Sequence, residues 1–571
     1  MRIIKTVIFV AILANLSFGE GLSFRGKSTE SLMQEPLPMA FQHFVETELD
    51  LSQNLNFNRG TFLIIVPDGL VGYLDAYVVF KKSQGFDVIV SLLSEAGSSA
   101  NDIKGFIDAT LTADPMLEYV LLIGDVDGFA ALPSFYYGPA NDVSDQKYTH
   151  LVGEDILPDV FIGRMSVDNL TDLIVILSKT MQYAKNPLAY DQDWLNRGLV
   201  VAGNYSNTFP IPITPKWTSY WLRDELLDFG YAQVDTVFYP PTQQGASQII
   251  SVINQGVGIV NYRGWGDANG WHYPEFHVSD VNNLNNGWFT PVFFGFVCNS
   301  NDFANNVDPC FSEAILRAGT PSVPKGGVAF IGPSDLHTST KYNNIINAYM
   351  YDSMLNHGVV ELGPAMLAGQ LGLQKEFPEQ DDAGEAQEFY THVYNILGDP
   401  SLQVYTGTPK EFDINVASGD PDGTGMINIT VRNDGIFVPN AVMSVLKNGE
   451  IISKGLTIEE PGIYLVDIHS LEQGDVLDIY ANKSGFIQGH IQFTSPYEPS
   501  HLSIKSFSVE TAEANDKIVY GETINFSIEI ENNSENDIDP DSVIFGVKNC
   551  TNVPYNQEID VPSIPAGESV V

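Results

Sequence analysis

Largely apolar runs alternate with helix-like stretches between residues 60 and 405. Runs such as 61–66, 119–123 and 258–262 are typical of strands that are buried on both faces. Stretches with apolar residues at helical spacing lie between them, for example at 73–82 and 217–227. This strand–helix–strand order predicts α/β units with parallel sheets and helices on both faces.

From residue 411 the pattern changes to short alternating strands separated by Gly, Asp and Asn turns. We therefore expect an α/β core followed by β-sandwich domains of about immunoglobulin size. The predicted units are an N-terminal α/β subdomain at 60–190, a second α/β subdomain at 191–405, a β-sandwich at 411–495 and a second, incomplete β-sandwich at 502–571. Neither β-domain carries a catalytic constellation, and spacer, adhesion or surface-attachment roles are expected for them. We expect the sandwich at 411–495 to fold separately and to make few contacts with the α/β core.

The amino terminus has the layout of a secretory signal peptide. A basic start is followed by an apolar run and small residues, which predicts a signal peptide at residues 1–19. Residues 20–59 are polar and are interpreted as a linker or a short pro-segment. No later stretch is long enough to span a bilayer, so we expect an exported protein that is secreted or at the cell surface, without membrane insertion.

Charge and cysteine content narrow the class of protein further. The 71 acidic and 28 basic residues give a formal charge of −43, which argues against electrostatic binding to nucleic acid or anionic lipid. Three cysteines cannot form a disulfide framework in 571 residues. Cys550 lies in another predicted domain, which leaves Cys298 and Cys310 as the cysteines relevant to chemistry.

The run from residue 291 to 337 is the candidate for chemistry. Its apolar stretch ends in Cys298-Asn-Ser-Asn, which predicts a buried strand that delivers a thiol to the edge of the sheet. A second buried strand follows at 326–331. A lone cysteine is more often a small buried hydrophobe, but the polar residues from Asn299 to Asp302 favour a nucleophile position.

These motifs resemble those of the gingipain-type cysteine peptidases, which are relatives of caspases. The shared patterns are Asn-x-x-Asp-Phe at 299–303, Cys-Phe-x-Glu-Ala at 310–314 and Gly-Asp-Pro-Ser-Leu at 398–402, within a likeness covering about 60–405. The resemblance implies a caspase-like α/β core and a cysteine endopeptidase that forms an acyl-enzyme on Cys298 with protein or peptide substrates. In this pattern Cys310 is not the nucleophile, and we interpret it as a packing residue.

The general base departs from the family pattern. The family places its catalytic histidine in Asn-Tyr-x-Gly-His-Gly, and the matching frame at 261–266 has Trp265, which cannot accept a proton. His272 is the first substitute candidate, His337 the second, with Asp335 to orient it, and His277 a weaker third. For each histidine taken singly, a ring hydrogen-bonded within a loop is the favoured alternative, whereas the clustering of all three around adjacent strand ends favours a functional role for one of them.

A second departure leaves two hypotheses open. Asn204 stands where the family often has an acid that supports the histidine, and no acid is evident where Arg-selective relatives carry one. The first hypothesis is an active endopeptidase with a substituted base. The alternative is a degenerate peptidase-like protein that acts in binding or adhesion.

Two further site predictions concern backbone donors and metal. Backbone N–H groups of Cys298 and of the turn from Gly264 to Gly266 could form an oxyanion hole, although glycines could also simply make the turn. The reaction requires no cofactor. The resemblance implies that structural calcium could bind the acid-rich region around Asp142, Asp145 and Asp155, for which a solvated acidic face is the alternative.

Overall fold

The computed structural model describes most of the chain. The described residues are 24–48, 57–138, 140–153, 155–204, 213–417, 426–458, 462–468, 471–472, 474–495, 502–511, 524–532, 537, 543–547, 555–559 and 562–571. The predicted signal peptide at residues 1–19 and Cys550 lie outside them. Among the helices within these ranges, none has the length and apolar character needed to cross a membrane.

A ten-stranded sheet forms the centre of the molecule. Its strands are β1 (Thr61–Val66), β2 (Asp87–Leu92), β3 (Leu117–Ile123), β4 (Phe161–Met165), β5 (Arg197–Gly203), β6 (Gln233–Tyr239), β7 (Ile259–Arg263), β8 (Val292–Gly295), β9 (Ala329–Pro333) and β10 (Tyr394–Leu397). Their order across the sheet is β6-β5-β7-β8-β9-β10-β4-β3-β1-β2. The two predicted α/β subdomains therefore share one continuous sheet, in which β10 joins β9 to β4.

The two halves of this sheet run in opposite directions. Strand β10 pairs antiparallel with β9 and parallel with β4, whereas the neighbouring strands within each half are parallel. The prediction of two parallel-sheet subdomains is confirmed. Because of the reversal at β10, the carboxyl ends of the first-half strands open at the opposite edge of the sheet from those of β7, β8 and β9.

Helices cover both faces of the sheet, as the burial of β1 shows. Phe62, Ile64 and Val66 enter one hydrophobic core, and Leu63 and Ile65 enter another on the opposite face. The longer helices are α1 (Asp75–Ser83), α2 (Ala100–Ala113), α3 (Leu170–Lys185), α4 (Thr214–Phe229), α5 (Ala246–Gln255), α6 (Phe311–Arg317), α7 (Thr340–Asp352), α8 (Leu362–Glu376) and α9 (Ala386–Val393).

The segment before the sheet packs on the first subdomain. Arg25 donates hydrogen bonds to the carbonyl oxygens of Asp159 at 2.9 Å and Leu117 at 2.6 Å. The ring of Phe41 stacks on Phe161 with centroids 4.6 Å apart. The stretch predicted as a linker or pro-segment is therefore a packed part of the α/β unit within its described residues, and its processing stays a prediction.

Two antiparallel sheets follow the α/β core and share one hydrophobic core. Their strands are β11 (Asp413–Val416), β12 (Met426–Asn433), β13 (Ile436–Phe437), β14 (Val442–Lys447), β15 (Glu450–Leu456), β16 (Ile463–Asp467), β17 (Val476–Asn482) and β18 (Gly489–Thr494). One sheet joins β11, β13 and β16 to β12, and the other has the order β15-β14-β17-β18. The region has the two-layer architecture predicted for residues 411–495, while its immunoglobulin likeness stays a prediction.

The expectation that this sandwich makes few contacts with the α/β core is wrong. Ser444 Oγ donates to the carbonyl oxygen of Lys82 at 2.7 Å, and Asn482 Nδ2 donates to that of Ser83 at 2.9 Å. Lys454 Nζ lies 2.5 Å from Asp87 Oδ2. The sandwich packs directly against the end of α1 and the start of β2, because those segments present carbonyl and carboxylate oxygens to its donors.

Beyond the sandwich, antiparallel strand pairs are described within residues 502–571. Leu502–Thr511 pairs with Ile524–Asn532, which also pairs with Ser569–Val570. Val543–Val547 pairs with Tyr555–Ile559. The second β-sandwich stays a prediction, since part of this region lies outside the described residues.

Candidate active site

Cys298 lies at the carboxyl edge of the sheet, in a turn that follows β8. The observed strand β8 is shorter than the sequence predicts. It ends at Gly295, three residues before Cys298. Gly295 is packed so closely that a Cβ there would lie 2.6 Å from the ring of Phe330. Val297 then donates its N–H to the Gly295 carbonyl at 2.8 Å, which turns the chain away from the sheet.

Asn299 fixes the turn that presents the cysteine. Its φ of 55° lies in the left-handed region, which asparagine tolerates better than most residues. Its side chain accepts the N–H of Ala268 at 3.1 Å and donates to Asp302 Oδ2 at 3.0 Å. The Asn-x-x-Asp pattern therefore closes the turn and ties it to the loop that follows β7.

Residue Cys298 is partly exposed, and its thiol contacts Thr338. Thr338 Oγ1 donates to the sulfur at 3.2 Å, and the thiol donates to the Thr338 carbonyl at 3.5 Å. Burial raises the pKa of Cys298, while the Thr338 hydrogen bonds and the nearby Arg263 guanidinium oppose that rise. The prediction of a thiol at the edge of the sheet is confirmed.

The family's histidine frame at 261–266 runs from the end of β7 into a small hairpin, in which Gly266–Asp267 pairs with Gly270–His272. Trp265 stands in that frame. It is an exposed residue, and its ring lies 4.4 Å from the ring of His272. His272 Nε2 lies 2.8 Å from Asp267 Oδ2, and its ring centroid is 4.8 Å from that of His277. The close approach of His272 to Asp267 lacks the alignment of a hydrogen bond.

His337 lies in the loop after β9. Its side chain is 75% exposed, and Nδ1 lies 3.8 Å from Asp335 Oδ1. Its backbone N–H also donates to Asp335. This loop places His337 next to Thr338, the residue that contacts the thiol.

The strand order brings the three candidate loops together. Strands β7, β8 and β9 are neighbours, and they lead to His272, Cys298 and His337 respectively. Among the residues that the structure describes, no histidine is hydrogen-bonded to the sulfur. The roles of His272 and His337 as general base therefore stay predictions.

The Gly264 to Gly266 turn lies beside the cysteine turn, as predicted. A Cβ on Gly266 would lie 3.0 Å from the Gly270 carbonyl and 3.3 Å from the side chain of Val297. A Cβ on Gly264 would lie 2.4 Å from the Tyr262 hydroxyl. Close packing thus accounts for both glycines, and their contribution to an oxyanion hole stays a prediction.

Arg263 was not among the predicted site residues, yet its buried side chain connects the elements around Cys298. It is buried and donates to the carbonyl oxygens of Phe296 and Thr340, the latter at 3.1 Å, and to Asn344 Oδ1. One guanidinium therefore links the end of β7 to the turn before Cys298 and to the start of α7. Its position within the histidine frame was visible in the sequence, but its contacts were not.

The structure also shows the surroundings of Cys310 and Asn204, two residues that the sequence analysis named. Cys310 is fully buried and immediately precedes α6 as its N-cap residue, with its sulfur 3.2 Å from Ser312 Oγ, which confirms packing. Asn204 follows β5 and donates its N–H to the Tyr239 carbonyl at 3.0 Å. Its buried side-chain oxygen has no hydrogen-bond partner within the described residues, and the following residues 205–212 lie outside them.

The calcium candidates do not form one ligand cluster. Asp145 is engaged by Arg164, whose Nε lies 2.7 Å from Oδ2. Asp155 accepts the N–H of Leu157 at 2.9 Å. Burial and the neighbouring carboxyl group of Asp335 raise the pKa of Asp142 to about 8. These contacts give Asp145 a cationic partner already and leave calcium binding by the other two a prediction.

A different group of acids lies together near the opposite edge of the sheet. Asp125, Asp127 and Asp308 have ligand oxygens within 4.8 Å of one another, which is the one such group found in the described residues. Arg317 forms an ion pair with this group, and its guanidinium lies 2.8 Å from Asp125 Oδ2. The buried carboxylate of Asp125 therefore has a cationic partner.

Comparison with known proteins agrees with this geometry. The profile of Peptidase family C25 matches residues 56–405. Gingipain R2 of Porphyromonas gingivalis W83 is 25% identical over 474 residues, which cover 79% of this chain and 61% of the relative. Lys-gingipain of strain ATCC 33277 is 24% identical over 456 residues, covering 75% of this chain and 25% of that relative. The chain thus spans less than two thirds of these relatives' length.

Solved structures share the fold. The crystal structure of the Arg-specific cysteine proteinase gingipain R aligns with a TM-score of 0.67 at 21% identity, over 76% of this chain and 98% of that one. A complex of the pro- and mature domains of a Porphyromonas gingivalis gingipain aligns with a TM-score of 0.66 at 22% identity, over 76% of this chain and 100% of that one. The family profile covers more than half of the chain, including the Cys298 turn and all ten strands of the central sheet, so the chain belongs to Peptidase family C25.

Proposed function

We propose that this chain is a cysteine endopeptidase that hydrolyses peptide bonds through an acyl-enzyme on Cys298. The observation that carries the proposal is the partly exposed Cys298 in the turn after β8, within a C25 chain. Cysteine peptidases need an accessible sulfur that can ionise and a base that takes its proton. The partial exposure of Cys298 supports the first of these requirements.

The proposed reaction has two steps. The Cys298 thiolate attacks the carbonyl carbon of the peptide, and the protonated base then donates its proton to the leaving amine. Water hydrolyses the resulting thioester and regenerates the thiol. Backbone N–H groups of Cys298 and of the Gly264 to Gly266 turn are the proposed donors to the developing oxyanion.

His272 is the proposed base, because a carboxylate lies beside it. Asp267 near Nε2 stabilises the imidazolium that forms when His272 accepts the thiol proton at its other nitrogen. His337 is the second candidate, since its loop contacts the sulfur through Thr338. Its exposed ring has a more distant carboxylate, 3.8 Å away in Asp335.

A second candidate function is binding or adhesion by a peptidase fold without hydrolytic activity. Trp265 replaces the family's histidine, and burial raises the pKa of Cys298, which favours the unreactive thiol at neutral pH. Both observations fit a site that has retained the fold of a peptidase site but no longer hydrolyses peptide bonds.

Hydrolysis of a pooled fluorogenic peptide library separates these functions. We expect the full chain to cleave library members and Cys298→Ala to lose at least a thousandfold in rate, since no other group replaces the nucleophile. Cys310→Ala is the matched control, because its thiol is fully buried beside α6, and it should retain activity. Cleavage that survives in Cys298→Ala contradicts the proposal, and no cleavage by the parent favours the binding function.

Export and cofactor use are also proposals. We propose secretion or surface display, with attachment through the C-terminal β-domains. Amino-terminal sequencing of the exported protein tests the proposed export. The proposed reaction uses side chains and water and requires no cofactor. Structural calcium is proposed only for the acid-rich region that includes Asp142 and Asp155, and protein or peptide substrates are proposed partners.

A further inference from the structure

The polar environment of the Cys298 sulfur is built by Thr338. The threonine hydroxyl donates to the sulfur at 3.2 Å. Its carbonyl oxygen accepts the thiol proton at 3.5 Å. When the thiol ionises, the second contact is lost and the first becomes a charge-assisted hydrogen bond, which is the stronger kind. Thr338 can therefore hydrogen-bond the Cys298 sulfur in both of its protonation states.

Asn343 fixes the direction of the threonine hydroxyl. Its Nδ2 donates to Thr338 Oγ1 at 3.0 Å, and the asparagine is only 2% exposed. Because this N–H occupies an acceptor position on Oγ1, the hydroxyl hydrogen is left to point at the sulfur. A threonine hydroxyl rotates freely in water, so the amide supplies the alignment.

Tyr394 fixes the orientation of the asparagine amide in turn. Its hydroxyl donates to Asn343 Oδ1 at 2.7 Å, which leaves Nδ2 facing Thr338. Tyr394 is fully buried, and burial raises its pKa well above the usual value, so the phenol stays a donor. The chain of donors thus begins at the first residue of β10 and ends at the sulfur.

We propose that Tyr394, Asn343 and Thr338 are positioning residues whose hydrogen-bond chain stabilises the Cys298 thiolate. The three residues come from separate elements, namely β10, the first turns of α7 and the loop after β9. Consecutive donors polarise one another in a buried site, so the last O–H in the chain is strengthened by those behind it. The chain offsets part of the effect of burial on the thiol. The inference rests on the proposed function only in treating that thiolate as the nucleophile.

The test is the pH dependence of Cys298 alkylation by iodoacetamide in the full chain, with the Cys298 peptide quantified by mass spectrometry. Only the thiolate reacts, so the midpoint of the rate reports ionisation. We expect Thr338→Val to raise the midpoint and to slow alkylation below it by roughly 10- to 100-fold, as loss of a hydrogen bond to a charged group implies. Thr338→Ser keeps the hydroxyl and should react like the parent.

Tyr394→Phe deletes one oxygen and tests the far end of the chain. We expect its alkylation to be slowed roughly three- to tenfold, less than in Thr338→Val, because the amide loses its orientation while the hydroxyl remains. Thermal unfolding of each variant shows whether it folds. If Thr338→Val does not, Thr338→Ala removes the same donor with less bulk and must show the same shift.

An unchanged midpoint in folded Thr338→Val or Thr338→Ala overturns the inference. An unchanged midpoint in Tyr394→Phe limits the effect to Thr338 and overturns the three-residue chain. Failure of the proposed function looks different, because a parent that hydrolyses no peptide can still show the alkylation shifts. A parent that hydrolyses peptides while its variants keep the parental midpoint removes only the hydrogen-bond chain.

Discussion

His272 Nε2 lies 2.8 Å from Asp267 Oδ2, in the hairpin that follows β7. Strand β7 is the direct neighbour of β8, which leads to Cys298. The frame in which the family carries its histidine holds Trp265 instead, and the indole packs against His272 with ring centroids 4.4 Å apart. An imidazole with a nearby carboxylate is therefore available one hairpin strand away from the usual position of the base.

The first prediction tests this pair as the catalytic base. We expect His272→Ala to lower kcat/KM for peptide hydrolysis by roughly 100- to 10,000-fold, the usual contribution of general acid–base catalysis. Asp267→Asn should lower it by at least about tenfold, because the imidazolium loses its neighbouring charge. Kinetics with one cleaved library peptide provide the measurement.

His337→Ala is the matched control for this prediction. Its exposed ring makes few contacts, so we expect most of the activity to remain. Activity of His272→Ala equal to that of the parent, with loss in His337→Ala, transfers the role of base to the loop after β9.

The second prediction concerns Trp265→His, which restores the imidazole in the family frame. If His272 already acts as the base, this substitution should not raise kcat/KM, and loss of the indole contact should lower it by a few fold. The measurement is the same peptide assay, with circular dichroism as the check on folding. A gain of activity from an inactive parent contradicts the substituted base and supports the degenerate protein.

The sequence pattern predicted the long buried strands well and the joining strands poorly. Apolar runs identify β1 and β3 because both of their faces are buried. Strand β10 has only four residues and follows α9 directly, so periodicity could not identify it. Its antiparallel pairing with β9 is a tertiary feature, and it decides that the two halves form one sheet.

The site was predictable only where one motif carries it. Cys298 and the Asn299 to Asp302 turn are contiguous, so the motif identifies them together. Thr338 and Tyr394 are ordinary residues for a loop and a strand, and their relation to the sulfur exists only in the fold. Asp267 was likewise invisible as a partner of His272 until the hairpin register was known.

The third prediction uses the paired carboxyl groups of Asp142 and Asp335. Burial, then the hydrogen bond and charge of Asp335, raise the pKa of Asp142 to about 8. Between about pH 4 and pH 8 the folded protein therefore binds more protons than the unfolded chain at this position, and its contribution to stability is lost as pH rises through that window. Asp142→Asn removes this loss.

Thermal unfolding at pH 5 and pH 8.5 checks the sign. We expect the parent's Tm to fall more steeply than that of Asp142→Asn, with the two differing by at least about 2–4 °C at the higher pH. Asp108→Asn, on the exposed face of α2, controls for the loss of one negative charge. Parallel Tm curves for the parent and Asp142→Asn contradict the raised pKa.

The fourth prediction separates an ion pair from a calcium ligand at Asp145. Both oxygens of this carboxylate engage Arg164, at 2.7 Å from Nε and 2.8 Å from Nη2. Both side chains are buried, so Asp145→Asn leaves an uncompensated guanidinium and should lower the free energy of unfolding by about 3–5 kcal/mol. We expect the same loss in calcium and in chelator, measured by urea unfolding.

Asp155→Asn is the matched control, because Asp155 was an equal candidate for calcium. A loss at Asp145 that appears only in calcium makes this residue a ligand and contradicts the ion-pair interpretation. Calcium that raises the Tm of the parent and of Asp145→Asn but not that of Asp155→Asn supports the proposed structural site without Asp145.

The last prediction concerns the attachment of the sandwich to the α/β core. Ser444 and Asn482 donate to carbonyl oxygens at the end of α1, and a Cβ on Gly85 would lie 2.7 Å from Val442. This close, hydrogen-bonded surface predicts that cleavage at residues 406–410 leaves both parts associated. The measurement is size-exclusion chromatography of the cleaved chain, in which we expect a single peak.

Ser444→Ala combined with Asn482→Ala should release a free core, because carbonyl oxygens left without donors favour water over the interface. Gln492→Ala, an exposed position on β18 of the same sheet, should behave like the parent. Release of the core from the cleaved parent contradicts a fixed interface and restores the expectation of an independent domain.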